Sequence, residues 1–261
     1  MFSAEALMIK CSKDFKNVFL DSVDSSREEI TLDENFSVKG FDRFVNSLSH
    51  FRPVILSTVS KSAKETEKPR ETIELDLDSQ LAKEELENHC SELITNISDV
   101  QRDSIRTIIK DGFDRNLSYK TVSERLKSQL GLNNQQIKIL SSMENNLIEN
   151  HVKQDQINKF LNIKSKQMLK IRADTIALTE SAKAVSNGRY LIQQQMFKDG
   201  DIKESTKQKW YTASDERTCP LCGPLDNVEV GMNEYFTAIN GSKIRNPILH
   251  PRCRCIVELE F

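Results

Sequence analysis

Apolar residues recur at helical spacing along most of this chain. In AEALMIKCSKDFKNVFLDS (4–22), Leu7, Met8, Phe15, Val18 and Phe19 fall on one side of a helix. Residues 41–58 mix FDRFVNSLSHF with a proline and a β-branched run, and the pattern assigns them no element. SKSAKETEKPRETIELDLDS (60–79) is highly charged, with no large apolar residue before Ile73, and reads as an exposed connection. From about residue 80 the helical period is sustained. Ser98 and Gln101 form a candidate capping box ahead of Ile105, Ile108 and Ile109, with Gly112 near that helix's end. Val122, Leu126 and Leu130 predict a helix over about 119–130, stopped by Gly131. Ile137, Leu140, Leu147 and Ile148 mark the next helix, and Ile157, Phe160 and Leu161 another. A long helix over about 165–197 is favoured by Ala177, Ala182 and Ala184.

The pattern changes after Asp199-Gly200-Asp201. WYTA and the alternating CIVELEF read as strands, with the turn-rich CPLCGP between them. The expected fold is mainly α, a body of packed long helices carrying a small C-terminal α+β zinc-knuckle module with short strands. The expected division is an N-terminal helical region (1–59), a charged linker or extension (60–94), and a domain over 95–258. That domain comprises a helical body (95–200) and the knuckle module (205–258). There is no internal repeat.

Composition fits this picture: of 261 residues, 29% are charged and 38% hydrophobic, with only 8 Gly and 6 Pro. The N-terminus lacks a basic leader followed by an apolar run and a small-residue cleavage site, so no signal peptide is expected. No run of about 18 apolar residues occurs, so no membrane span is expected. The net charge is −2 but uneven: residues 1–100 hold 12 Lys/Arg against 20 Asp/Glu, and residues 101–172 hold 14 against 7. Solvated helix faces account for this most simply, and a face meeting double-stranded DNA or an acidic partner is the alternative.

Six cysteines add the candidate chemistry. Cys11 and Cys90 sit in helical patterns as small hydrophobes. The other four cluster in CPLC (219–222) and, with His250, in HPRCRC (250–255), a spacing that favours metal over a disulfide framework. Zinc takes four thiolate or imidazole ligands in a tetrahedron. Cys219-Pro-Leu-Cys222 and His250-Pro-Arg-Cys253 share one template, ligand-Pro-x-Cys, in which proline fixes a tight turn and following N–H groups can face sulfur. The expected ligands of a structural Zn²⁺ are therefore Cys219, Cys222, His250 and Cys253. Cys255 is a fifth candidate, able to replace His250 or Cys253. A redox C-x-x-C opens a helix, whereas Gly223-Pro224 follows here. A zinc deaminase needs H-x-E, and the four histidines read HFR, HCS, HVK and HPR. A zinc hydrolase needs an open coordination position and a base. A closed, non-catalytic site is expected, with no cofactor site besides the metal and no small-molecule substrate.

Three stretches carry a family resemblance: IRADTIALTESAKAVSNGRY (171–190), KWYTASDERTCPLCGPLD (209–226) and HPRCRC (250–255). Together they resemble the phage head morphogenesis family, the Mu protein F-like minor head proteins, over about residues 95–258. The matching positions are Arg172, Ile176, Ala177, Thr179, Glu180, Asn187 and Gly188, then Trp210, Asp215 and Arg217. Family members often have Gly where this chain has Asp226-Asn227, and Pro-Pro where it has Pro247-Ile248-Leu249. The resemblance implies a minor structural protein of a tailed-phage or prophage head. It implies association with portal and with capsid or scaffold proteins inside the procapsid, and help in head assembly and DNA packaging or ejection. It also implies a place in the virion and no enzymatic activity, and the lack of a long apolar run adds the expectation of no membrane partner. The alternative is a zinc-containing DNA-binding accessory or nuclease acting in packaging. A nuclease would need a catalytic histidine beyond His250, and aromatics for base stacking are sparse in 101–172.

Overall fold

The computed structural model describes residues 2–69, 71–213 and 218–260. In chain order the helices are α1 (Phe2–Arg27), α2 (Phe41–Ser47), α3 (Phe51–Glu65), α4 (Gln80–Asp114), α5 (Tyr119–Gln129), α6 (Asn134–Glu149) and α7 (Gln154–Lys198). The strands are β1 (Thr31–Leu32), β2 (Val38–Lys39), β3 (Lys207–Tyr211), β4 (Glu229–Gly231), β5 (Phe236–Thr237), β6 (Lys243–Ile244) and β7 (Ile256–Glu260). The fold is thus mainly helical, with most of its short antiparallel strands near the C-terminus, as the sequence pattern predicts, and one unforeseen hairpin, β1-β2, after α1. None of the described helices is long and apolar enough to cross a membrane.

Several boundaries differ from the sequence reading. The unassigned 41–58 segment forms α2 and the start of α3; Pro53 fits there because it stands in the first turn, where no N–H is needed by the helix. The charged run from 60 is not loose: residues 60–65 finish α3, and Ser62, Ala63, Thr66 and Ile73 are buried. Beyond it, Gln195 accepts the Asp76 N–H at 2.7 Å and donates to the Glu74 carbonyl at 2.9 Å. No helix begins at Ser98. α4 starts at Gln80, where Ser79 Oγ accepts the Ala82 N–H at 3.3 Å, and Ser98 and Gln101 lie buried inside it. A capping box does form at Asn133 and Gln136, whose side chains satisfy each other's backbone N–H at the start of α6. The two helical patterns before and after residue 165 join into the 45-residue α7.

The chain divides into two compact units. One comprises residues 16–50 and 91–174. In it Arg115 and Arg125 both donate to the buried Glu144, each at 2.6 Å, and Arg125 also reaches Asp111 at 2.8 Å. Arg172 is buried, lies over the Phe19 ring, and donates to the Gly131 carbonyl at 2.6 Å. No carboxylate among the described residues is paired with it, and burial lowers its pKa to about 10.

The other unit comprises residues 1–15, 51–90 and 175–261. Its strands order β4-β3-β7, antiparallel throughout, with Trp210 opposite Val257 and Gln208 opposite both Leu259 and Val230. Ala4, Leu7, Met8 and Cys11 of α1 share one apolar cluster with Ala182 and Val185 of α7 and Ile256 of β7. A second cluster joins Ala63 and Ile73 to Ile192, Met196, Ile202 and Met232. The helices α3 and α7 approach closely at Gly188: a Cβ there would stand 2.4 Å from the Val59 carbonyl oxygen. Beside it Ser62 Oγ donates to the Val185 carbonyl at 2.6 Å.

Candidate metal centre

β3 delivers the chain to the first knuckle and β7 carries it away from the second. At the first, the N–H groups of Cys222 and Gly223 both reach the Cys219 carbonyl, at 3.1 and 2.9 Å, and a single 3₁₀ turn (Gly223–Leu225) follows. At the second, the Cys253 N–H reaches the His250 carbonyl at 3.2 Å. Both halves therefore close the same turn, second ligand N–H to first ligand carbonyl, which is what the shared ligand-Pro-x-Cys template predicts. The first turn is further held by Asp226, whose Oδ1 accepts from the N–H and the hydroxyl of Thr212, both at 2.9 Å. Asn227 follows with φ 62°, a left-handed conformation that glycine adopts freely and asparagine tolerates. Ile248 has φ 93°, a strained value for a β-branched residue and one that excludes proline at that position.

The structure brings all five candidate ligands together in two overlapping groups, Cys219 with Cys222 and His250, and Cys222 with Cys253 and Cys255. In each group the ligand atoms lie within 4.8 Å of one another, so Cys222 is common to both. Its sulfur is 3.4 Å from His250 Nε2 and 3.8 Å from Cys253 Sγ. Tetrahedral zinc, with bonds of about 2.3 Å to sulfur and about 2.0 Å to nitrogen, sets ligand edges of about 3.8 Å (S–S) and about 3.5 Å (S–N). The donor set and these two edges fit a metal ion. His250 is oriented for that role: its Nδ1 lies 2.9 Å from the Pro251 carbonyl, which can only accept, so Nδ1 donates there and Nε2 is the ring nitrogen that faces Cys222.

The sulfurs also show the electrostatics of a crowded thiol group. Cys253 is held down to about 5, first by the hydrogen bond from the Cys255 thiol and then by N–H groups of Cys255, Leu249 and Ile248. Cys222 is pushed up to about 12 by burial and by the neighbouring Cys253 charge. Cys255 is pushed up by the hydrogen bond it gives Cys253 and by burial. Sulfurs this close cannot all ionise unaided, and a divalent cation among them would relieve that repulsion. Among the described residues, a small open recess at this point is lined by Thr212, Cys219, Cys222, His250 and Cys255 among others.

Apolar side chains pack around the cluster. Trp210 is fully buried and meets Phe236 edge-to-face at 5.2 Å, in one cluster with Cys222, Leu225, Cys253, Cys255 and Val257. The knuckles are tied to α7 by a series of polar contacts that the sequence reading did not foresee. Thr179 Oγ1 accepts the Arg252 N–H at 3.0 Å, and the Arg252 guanidinium reaches Thr175 Oγ1 at 2.8 Å. Asn187 meets Asn246 at 3.5 Å, Arg189 pairs with Glu258 at 2.7 Å, and Tyr190 accepts from Arg245 at 3.1 Å. The one visible signal was the pair of hydroxyls four apart in TIALT, at the spacing that puts two side chains on one helix face.

These contacts give the motif residues separate jobs. Thr179 holds the second knuckle, and Gly188 lets α3 approach. Glu180 accepts from the buried His89 at 2.9 Å, so Glu180 and Arg172, eight apart on α7, have different partners and do not form a pair. Asp215 and Arg217 lie outside the described residues.

A family model described as phage Mu protein F like protein matches residues 103–258. The chain belongs to the phage Mu protein F-like family. The matched span runs from the last third of α4 through α7 and includes both knuckles, so the family pattern and the candidate ligand cluster coincide in one stretch of chain. This membership points to a phage head-related protein. No curated protein and no solved structure matches the chain.

Proposed function

We propose that this Mu F-like chain is a minor head protein of a tailed phage or prophage, bound near the portal inside the procapsid and assisting head assembly and DNA packaging or ejection. The observation that carries this reading is the family match over residues 103–258. In it the knuckles act as a fastener: four of Cys219, Cys222, His250, Cys253 and Cys255 hold a structural Zn²⁺, with Cys255 the alternate fourth ligand. Support comes from the soft sulfur-rich donor set and the two ligand edges. The metal's contribution is to order a module too small to fold by burial alone, and the protein is proposed to be non-enzymatic.

Co-expression with the portal and scaffold proteins of the same phage tests the reading. The expected result is retention on purified portal rings and presence at low copy in procapsids. Absence from both defeats it. Double-stranded DNA as a further partner is supported by the excess of Lys/Arg in 101–172. It requires retention on DNA that falls steeply with salt, and no retention at low salt removes it.

A further inference from the structure

The first half of α7 turns an unusual face to solvent. Phe160, Ile163 and Ile171 are 37%, 57% and 58% exposed. With Gln167 they stand at i, i+3, i+7 and i+11, which places all four on one narrow stripe. The other side of the helix is committed to its own unit, where Ser165, Leu169, Arg172 and Ala173 are buried. Lysines flank the stripe on both sides. Lys159, Lys166 and Lys170 are exposed along one edge, and Lys164 on the other edge lies 5.6 Å over the Phe160 ring. Between residues 153 and 171 the sole acidic side chain is Asp155.

Charge and shape together select an occupant. Phosphates need cations but no row of large apolar side chains. A second copy of the same face would set lysine rows against lysine rows. A lipid surface asks for a broad apolar face, and here Gln167 stands in the middle of the stripe. A helix with a narrow apolar seam and Asp/Glu on both flanks satisfies both features, as in coiled-coil pairing.

We propose that residues 159–171 of α7 form a docking face for an acidic amphipathic helix of another head protein. The source of that helix rests on the head-protein reading above; its chemistry does not.

The test places a photo-crosslinking residue at Gln167 of the full chain, expressed with the phage's head genes, and sequences the adducts. The expected adduct is a segment of a different head protein with helical apolar spacing and net negative charge. Combining Lys159→Glu, Lys166→Glu and Lys170→Glu should cut its yield at least about ten-fold without changing the circular dichroism, because these side chains are exposed. An adduct to a second copy or to DNA, no adduct, capture by phosphatidylglycerol vesicles, or indifference to the charge reversal each overturns the docking face. Particle content separates the two readings. The chain present in particles without the adduct sinks the face alone. An adduct to an acidic helix from a protein outside the head, with the chain absent from particles, sinks the head-protein reading alone.

Discussion

Gly188→Ala is the substitution on which local and tertiary physics disagree in sign. Gly188 lies inside α7, and by propensity alone alanine there should stabilise the helix by about 1 kcal/mol. The structure says otherwise. The added methyl would stand 2.4 Å from the Val59 carbonyl oxygen and 2.7 Å from Ser62 Cβ. Both belong to α3, and a backbone oxygen cannot swing aside as a long side chain can, so the two helices must separate. Separation strains the Ser62 Oγ to Val185 carbonyl bond and loosens the cluster around Ala63 and Ile192. Overpacking of this kind costs about 1–3 kcal/mol, and more when backbone is the obstacle, so the net expectation is a loss of about 1–2 kcal/mol. For a chain of this size that is a fall in Tm of roughly 2–8 °C. Thermal melts and urea titrations of the purified protein measure it. A second substitution sharpens the test: Ser62→Gly removes part of the obstruction, so its own destabilisation should be smaller in the Gly188→Ala background than alone. An unchanged or raised Tm for Gly188→Ala would refute the close-approach account and leave helix propensity in charge.

Three further expectations follow from the packing. Purified protein should carry one zinc equivalent; chelation or Cys222→Ser should abolish near-ultraviolet ellipticity from the module while leaving most far-ultraviolet signal, and acidification should release the metal as its ligands take up protons. Metal-free protein with an intact module would contradict this. Glu144→Leu should cost about 2–4 kcal/mol in urea denaturation, because Arg115 and Arg125 are left with Asp111 between them, whereas Glu144→Gln should cost less; equal effects would show the charge to be idle. A fragment of residues 95–261 lacks Ala4, Leu7, Met8, Cys11, Ala63 and Ile73, six members of two apolar clusters, and should melt broadly or aggregate. A sharp, monomeric transition for that fragment would instead support a self-sufficient 95–258 domain.

The helices of this chain were readable because their signals are local. Val122, Leu126 and Leu130 mark α5, Gly131 stops it, and the ligand-Pro-x-Cys repeat announces two turns of one geometry. Errors arose where a local signal was overruled by packing. Ser98 and Gln101 look like a cap, yet Gln101 is spent on the Gly131 N–H thirty residues away, and α4 runs through both. The run after Ser60 looks like linker because its apolar content is low. It is ordered by Ser62, Ile73 and the two bonds to Gln195, partners that no window of neighbouring residues contains. The candidate site divides in the same way. Spacing found its five donors, but the tie from Arg252 to Thr175 and Thr179 spans more than seventy residues and needed the fold.

The chain holds a single tryptophan, Trp210, and it is fully buried beside Cys222 and Cys253. Its emission is therefore blind to most of the helical chain and answers to one place, the packing of the knuckles. The protein comes with its own optical gauge: the loading, loss or exchange of an ion at these sulfurs can be timed on the unlabelled chain, even within a crowded assembly whose other components are chosen to lack tryptophan.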